Sequence, residues 1–216
     1  EAHADGLIYR GLEDMPEVRD VLETHLDLTS EPSLAIRSIY GRWFPWLVLL
    51  DEKWAKDHSG LIFLADEKYQ ALFHAAWDTY LTFCQPYDNV FDALHQQYKL
   101  AVDRLPQENE TKDDIVRPNV RLAEHLMVFY WRGKLKIQED EGLLMKFWKM
   151  AAPEIRARAI EYIGWNLSNT EEEVPSKILK RLKDLWEWRL YRIHSAHDKT
   201  PYLPEVESFG WGFTSG

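Results

Sequence analysis

The stretch VPSKILKRLKDLWEWRLYRIH, residues 174–194, sets three aromatics and six basic residues against only two acids. Its apolar positions recur at three and four rather than at two, the period of a helix. On a wheel of about 100° per residue, Ile178, Leu179, Leu182, Leu185, Trp186, Leu190 and Ile193 share one arc of roughly 140°. Trp188 and Tyr191 fall on the other side, near Arg181 and Asp184. Two readings follow. One is a helix packed on both faces, with Trp188 and Tyr191 meeting a neighbouring helix. The other is a basic, aromatic strip of Lys177, Lys180, Arg181, Lys183, Trp188 and Arg192 that stacks on nucleic-acid bases. Arg189 lies in the middle of the apolar arc. A buried cation without a partner is costly, so this position predicts a carboxylate, with Glu161 on the preceding helix the first choice and Glu124 the second, or several carbonyl partners; the alternative is a buried stem whose guanidinium reaches water at the helix edge.

The same period runs outward in both directions. Helices are predicted over MPEVRDVLETHL and SEPSLAIRSIYGRW, with a break or kink at Pro45 before WLVLLDEKWAKDH and a stop at Gly60. A long helix is expected from about Asp66 to Cys84, capped by Asp66, with Leu72, Phe73, Ala76, Trp77, Tyr80 and Leu81 as its inward stripe. Further helices follow over NVFDALHQQYKLAVDRL, PNVRLAEHLMVFYWR, DEGLLMKFWKMA and APEIRARAIEYIGWNLS. In the last of these, Ala157 and Gly164 offer small residues for a close helix approach, and Trp165 lies near Arg158. The tail TPYLPEVESFGWGF reads as the start of another unit. No Asn-Gly or Asp-Gly hairpin joining alternating runs is expected.

This gives an all-α fold of antiparallel helix hairpins, stacked as an irregular HEAT-like solenoid; the alternative is a non-repeating helical bundle. A faint repeat supports stacking, since MPEVRDVLETHL (15–26) echoes APEIRARAIEYI (152–163). Residues 1–105 form N-terminal hairpins, 106–116 a polar loop and 117–216 C-terminal hairpins of one continuous array. The chain opens on EAHADG without an initiator Met and stops inside FGWGFTSG, so it is expected to be a fragment of a longer polypeptide.

Composition excludes several classes. Over 216 residues, 45% are hydrophobic and 29% charged, which describes a folded chain with a real core. One cysteine, Cys84, rules out a disulfide framework or a Cys-rich zinc site and suits a cytoplasmic setting. The apolar run FPWLVLL is too short to span a bilayer. The net charge is −10, which opposes general phosphate binding. Residues 1–110 hold 9 basic and 20 acidic side chains, whereas 111–216 hold 17 and 16.

Candidate chemistry is sparse. His194, His197 and Asp198 are the one cluster with metal-ligand spacing; the preferred reading is cationic or neutral histidines at a helix C-terminus, with no metal. The acidic runs 139–141 and 171–173 suit helix N-termini. His125 reads as a histidine at the edge of the core, and Cys84 as a buried thiol. No phosphate-loop, dinucleotide or nucleophile-elbow motif is present. HEAT-like alkylpurine DNA glycosylases share this size and helical architecture and use an Asp flanked by aromatics. Asp78 beside Trp77 is the one nominal match. The expectation is a protein without catalytic residues and without a cofactor.

Three stretches, HLMVFYWRGKL (125–135), RLKDLWEWRL (181–190) and FGWGFTSG (209–216), together resemble a helical region near the C-terminus of very large bacterial proteins. Those proteins carry upstream STAND-type ATPase or sirtuin-like modules, and some act in anti-phage defence. The resemblance covers residues 120–216. It implies a sensor or scaffold segment that contacts a protein partner or other domains of its parent, and it carries over no catalytic residue.

Overall fold

The computed structural model describes residues 3–4, 7–8, 11–105, 117–137 and 142–211. Among the described residues the chain is all-helical apart from a two-residue antiparallel pairing, His3–Ala4 with Leu7–Ile8. No such pairing is expected from the sequence. The expected loop at 106–116, the acidic run 139–141 and residues 212–216 of the terminal motif lie outside the described residues.

Two compact units divide the chain, residues 1–98 and 99–216. In the first, α1 (Pro16–Leu26), α2 (Leu34–Leu50), α3 (Glu52–Ile62) and α4 (Gln70–Phe83) precede α5 (Asp88–Asp103), whose last residues belong to the second unit. α2 packs most extensively on α4 and then on α3. The α4 stripe is buried as expected, Leu72 through Leu81. Its Trp77 and Tyr80 meet Phe63 at ring distances of 5.7 and 6.2 Å, Phe63 in turn meets Phe44 at 5.2 Å, and Trp77 meets Tyr98 at 5.0 Å, all edge to face, the geometry that ring quadrupoles favour. The Tyr80 and Tyr98 hydroxyls bond each other at 2.9 Å within this cluster.

Pro45 does not break the chain: α2 runs through it. Pro45 has no N–H to give the Gly41 carbonyl. The Cys84 thiol covers the gap, 3.9 Å from that oxygen and donating to the Arg42 carbonyl at 3.1 Å. The real break comes at Asp51, whose extended backbone ends α2 and whose carboxylate accepts from Trp54 N and from Leu12 N. Gly60 is not a stop either; it sits inside α3, which ends at Phe63. Gly41 lets α2 approach the backbone of α4 closely. A β-carbon there would lie 2.0 Å from the Ala76 carbonyl oxygen.

Arg37 is fully buried in the first unit and forms no ion pair among the described residues. Its guanidinium donates to the carbonyls of Leu26 (2.8 Å) and Leu61 (2.7 Å), at the C-terminal ends of α1 and α3. Helix C-termini carry partial negative charge, which partly compensates the buried cation. Tyr40 donates to the Leu22 carbonyl at 2.6 Å, and burial pushes its phenol up to about 12. A folded-state value above the ordinary 10 gives stability that is complete below pH 10 and lost as the pH rises through 12. Tyr40→Phe should cost about 1 kcal/mol at neutral pH and flatten the alkaline slope; urea titrations at pH 8 to 12 measure both. An unchanged slope would refute the assignment.

Burial also raises the Cys84 thiol, to about 11. At neutral pH it should resist alkylation until denaturant opens the unit, because thiolate is the reactive species. Mass spectrometry after iodoacetamide checks this.

The second unit holds α6 (Pro118–Arg132), α7 (Leu143–Met150), α8 (Pro153–Ser168), α9 (Ser176–Ser195) and α10 (Leu203–Trp211). α6 buries eight residues, His125 among them, as its nearly all-round apolar sequence requires. It ends at Gly133, which takes the left-handed conformation (φ 85°) of a helix C-terminus. The most extensive pairings are α8 with α10 and α8 with α6. α10 therefore completes this unit rather than opening another. Gly164 makes no close contact, with open space around its β-carbon position. Trp165 is exposed, and Arg158 donates to Glu161 instead. The echo between residues 15–26 and 152–163 ends at the helix opening: α8 buries six residues, α1 only Leu26.

Candidate interaction surfaces

The wheel of α9 is narrower than its sequence suggests. Leu182, Leu185, Arg189 and Ile193 are buried, while Leu179 and Leu190 are half exposed. Arg189 has an acidic partner, and it is neither Glu161 nor Glu124. Arg189 Nε and Nη2 donate to Glu205 Oε2 at 3.0 and 2.6 Å, and Arg156 Nε donates to Glu205 Oε1 at 2.5 Å. Glu161 accepts from Arg158 and Ser208, and Glu124 accepts from Arg121. Arg156 also donates to the carbonyls of Ala151 and Pro201. Trp148 and Trp188 lie 4.5 and 5.2 Å from the Arg189 guanidinium carbon, within cation–π reach. Burial lowers the Arg189 pKa, opposed by Glu205. This buried Arg–Glu–Arg cluster pins α10 onto α8 and α9.

Of the six residues of the basic strip, four are exposed and two are half-buried. Lys177, Lys180, Lys183 and Arg192 are exposed. Arg181 is half-buried, donates to the Trp131 carbonyl at 2.9 Å and closes over Gly133 at the end of α6. Trp188 is half-buried with its ring edge-on to Trp148, 6.4 Å away. Tyr191 is exposed rather than packed.

α9 ends at Ser195, so His197 lies beyond the helix and one helical turn does not align it with His194. The Asp198 carboxylate accepts from Thr200 N at 2.9 Å, which holds its pKa down. Among the described residues no three His, Cys, Asp or Glu side chains converge as a metal-binding group. Asp78 lies beside His74, 3.3 Å away, while the adjacent Trp77 points into the aromatic core. An open cleft of about 220 Å³ in the second unit has Trp131, Ile163, Leu167 and Ile178 in its walls, with Glu172 and Glu173 beside them.

A contiguous exposed apolar face lies on α2. Ile39, Trp43, Trp46, Leu49 and Leu50 are each 42–69% exposed. The indole rings of Trp43 and Trp46 lie 6.4 Å apart. Arg42 is the only charged residue on this side of α2, and its guanidinium is held to the edge, 4.6 Å over the Phe83 ring. Periodicity alone does not report which of two apolar helix faces stays uncovered.

Among the described residues no helix is long and apolar enough to cross a membrane. No family model, curated protein or solved structure matches this chain.

Proposed function

We propose that this chain is a non-catalytic helical interaction module, a HEAT-like scaffold or sensor segment that presents apolar helix faces to protein surfaces. The observation that carries the reading is the α2 face: two tryptophans and three aliphatic residues in one stripe, all substantially exposed. Contiguous apolar patches of this kind mark interaction sites, and tryptophan dominates their energetics. The reading needs no metal and no cofactor. In a longer cytoplasmic parent, the module would contact the ATPase or sirtuin-like effector that the C-terminal resemblance implies. Nucleic acid fits less well, since Trp188 is half-buried and the chain carries −10.

A photo-crosslinking phenylalanine at position 46 tests the reading in the intact chain. Protein adducts should form there in higher yield than from the same probe at Lys183, an exposed position on a polar turn of α9. Equal yields at the two positions would remove the interaction reading.

A further inference from the structure

The α2 stripe has a spacing that fits itself. Ile39, Trp43, Trp46 and Leu50 step by four, three and four residues, the seam of a coiled coil. On the wheel they fall within an arc of roughly 60°, while Arg37, Tyr40, Gly41, Phe44, Leu47 and Val48 face the interior. The order aliphatic, Trp, Trp, aliphatic reads the same from either end. An antiparallel copy, related by a two-fold axis between residues 44 and 45, would set Trp43 against Trp46 of the other copy and Ile39 against Leu50. Two-fold interfaces require this self-complementarity.

We propose that two copies of this chain associate through antiparallel α2 helices in that register. The proposal rests on the reading of α2 as a protein-binding face. Area and charge favour a second copy. At 42–69% exposure the five residues, with Phe83 beside Arg42 at their edge, offer roughly 600 Å² of apolar surface, given about 150–250 Å² for a whole aromatic side chain. Two such faces bury about 1,200 Å², the lower bound of a specific interface. α2 has no acidic residue, so the contact itself sets no like-charged acids together. The chains as wholes carry −10 each and repel one another, so added salt strengthens the dimer.

Sedimentation equilibrium of the whole chain across the micromolar range is the test. The expected result is a monomer–dimer equilibrium, tightened by salt and weakened about tenfold or more by Trp46→Glu. Register is read with a second pair of variants. Ile39→Lys alone weakens association. Ile39→Lys with Leu50→Glu in the same chain restores it, because the antiparallel register sets each new lysine against the other copy's new glutamate. A parallel pair would set like against like. These positions are half exposed, and circular dichroism confirms that the variants fold; if Trp46→Glu does not, the Ile39 and Leu50 variants decide alone. A monomer at every concentration, or a dimer untouched by these changes, overturns the proposal, as does a double variant no tighter than Ile39→Lys. Monomers whose position-46 probe still captures another protein would retain the interaction reading and discard self-pairing. Monomers that instead cosediment with phosphatidylcholine vesicles would assign the stripe to a bilayer and end both. Equal probe yields at positions 46 and 183 would also end both.

Discussion

Glu205→Gln should destabilise the second unit by roughly 3–5 kcal/mol, the usual consequence of stranding buried charge. Glu205 is 0% exposed, and each of its carboxylate oxygens serves a different guanidinium. Glutamine keeps the shape but leaves Arg156 and Arg189 as two buried cations without an anion between them. Arg189→Met should be much milder, about 1–2 kcal/mol, because it removes the surplus cation and leaves a neutral Arg156–Glu205 pair. Its loss includes the contact of the guanidinium with Trp148. Urea unfolding of the two variants measures the difference, and hydrogen exchange across α10 shows whether that helix detaches first. The account fails if Arg189→Met costs more than Glu205→Gln, or if the glutamine variant unfolds at the wild-type midpoint.

Gly41→Ala should cost the first unit about 3 kcal/mol, the upper end of ordinary overpacking. Intrinsic propensity points the other way, since alanine is better than glycine inside a helix by about 1 kcal/mol. The sign of the measured change is therefore decisive. The added methyl would lie 2.0 Å from the carbonyl oxygen, 2.7 Å from the carbonyl carbon and 2.9 Å from the Cα of Ala76. All three are backbone atoms, so no rotamer change relieves the clash and α2 must move away from α4. Gly164→Ala is the control: its β-carbon position is open, and that change should be neutral or stabilising. A stabilised Gly41→Ala would mean that α2 and α4 are not in close contact at this point.

The sequence by itself determined the helical class and most helix positions. Pro16, Pro118 and Pro153 open the helices they were expected to open, because proline supplies the right φ and lacks an N–H that the first turn does not use. The stripe from Leu72 to Leu81 was legible because burial on one side of a helix imposes a 3.6-residue period. The exceptional position of Arg189 was legible too, since a cation centred on an apolar arc must be compensated or reach water; that the compensation is a carboxylate was not. Tertiary structure alone decided the rest. Glu205 is 49 residues from Arg156 and 16 from Arg189, in a tail whose local pattern suggested a separate unit. Pro45 stays helical, with Cys84 from beyond α4 covering the carbonyls it leaves. Gly41 rather than Gly164 makes the close approach, and α2 rather than α9 carries the broad exposed apolar stripe. Periodicity is a property of one helix and states which side is apolar. Which neighbour covers that side, and whether any does, depends on contacts between residues far apart in the chain.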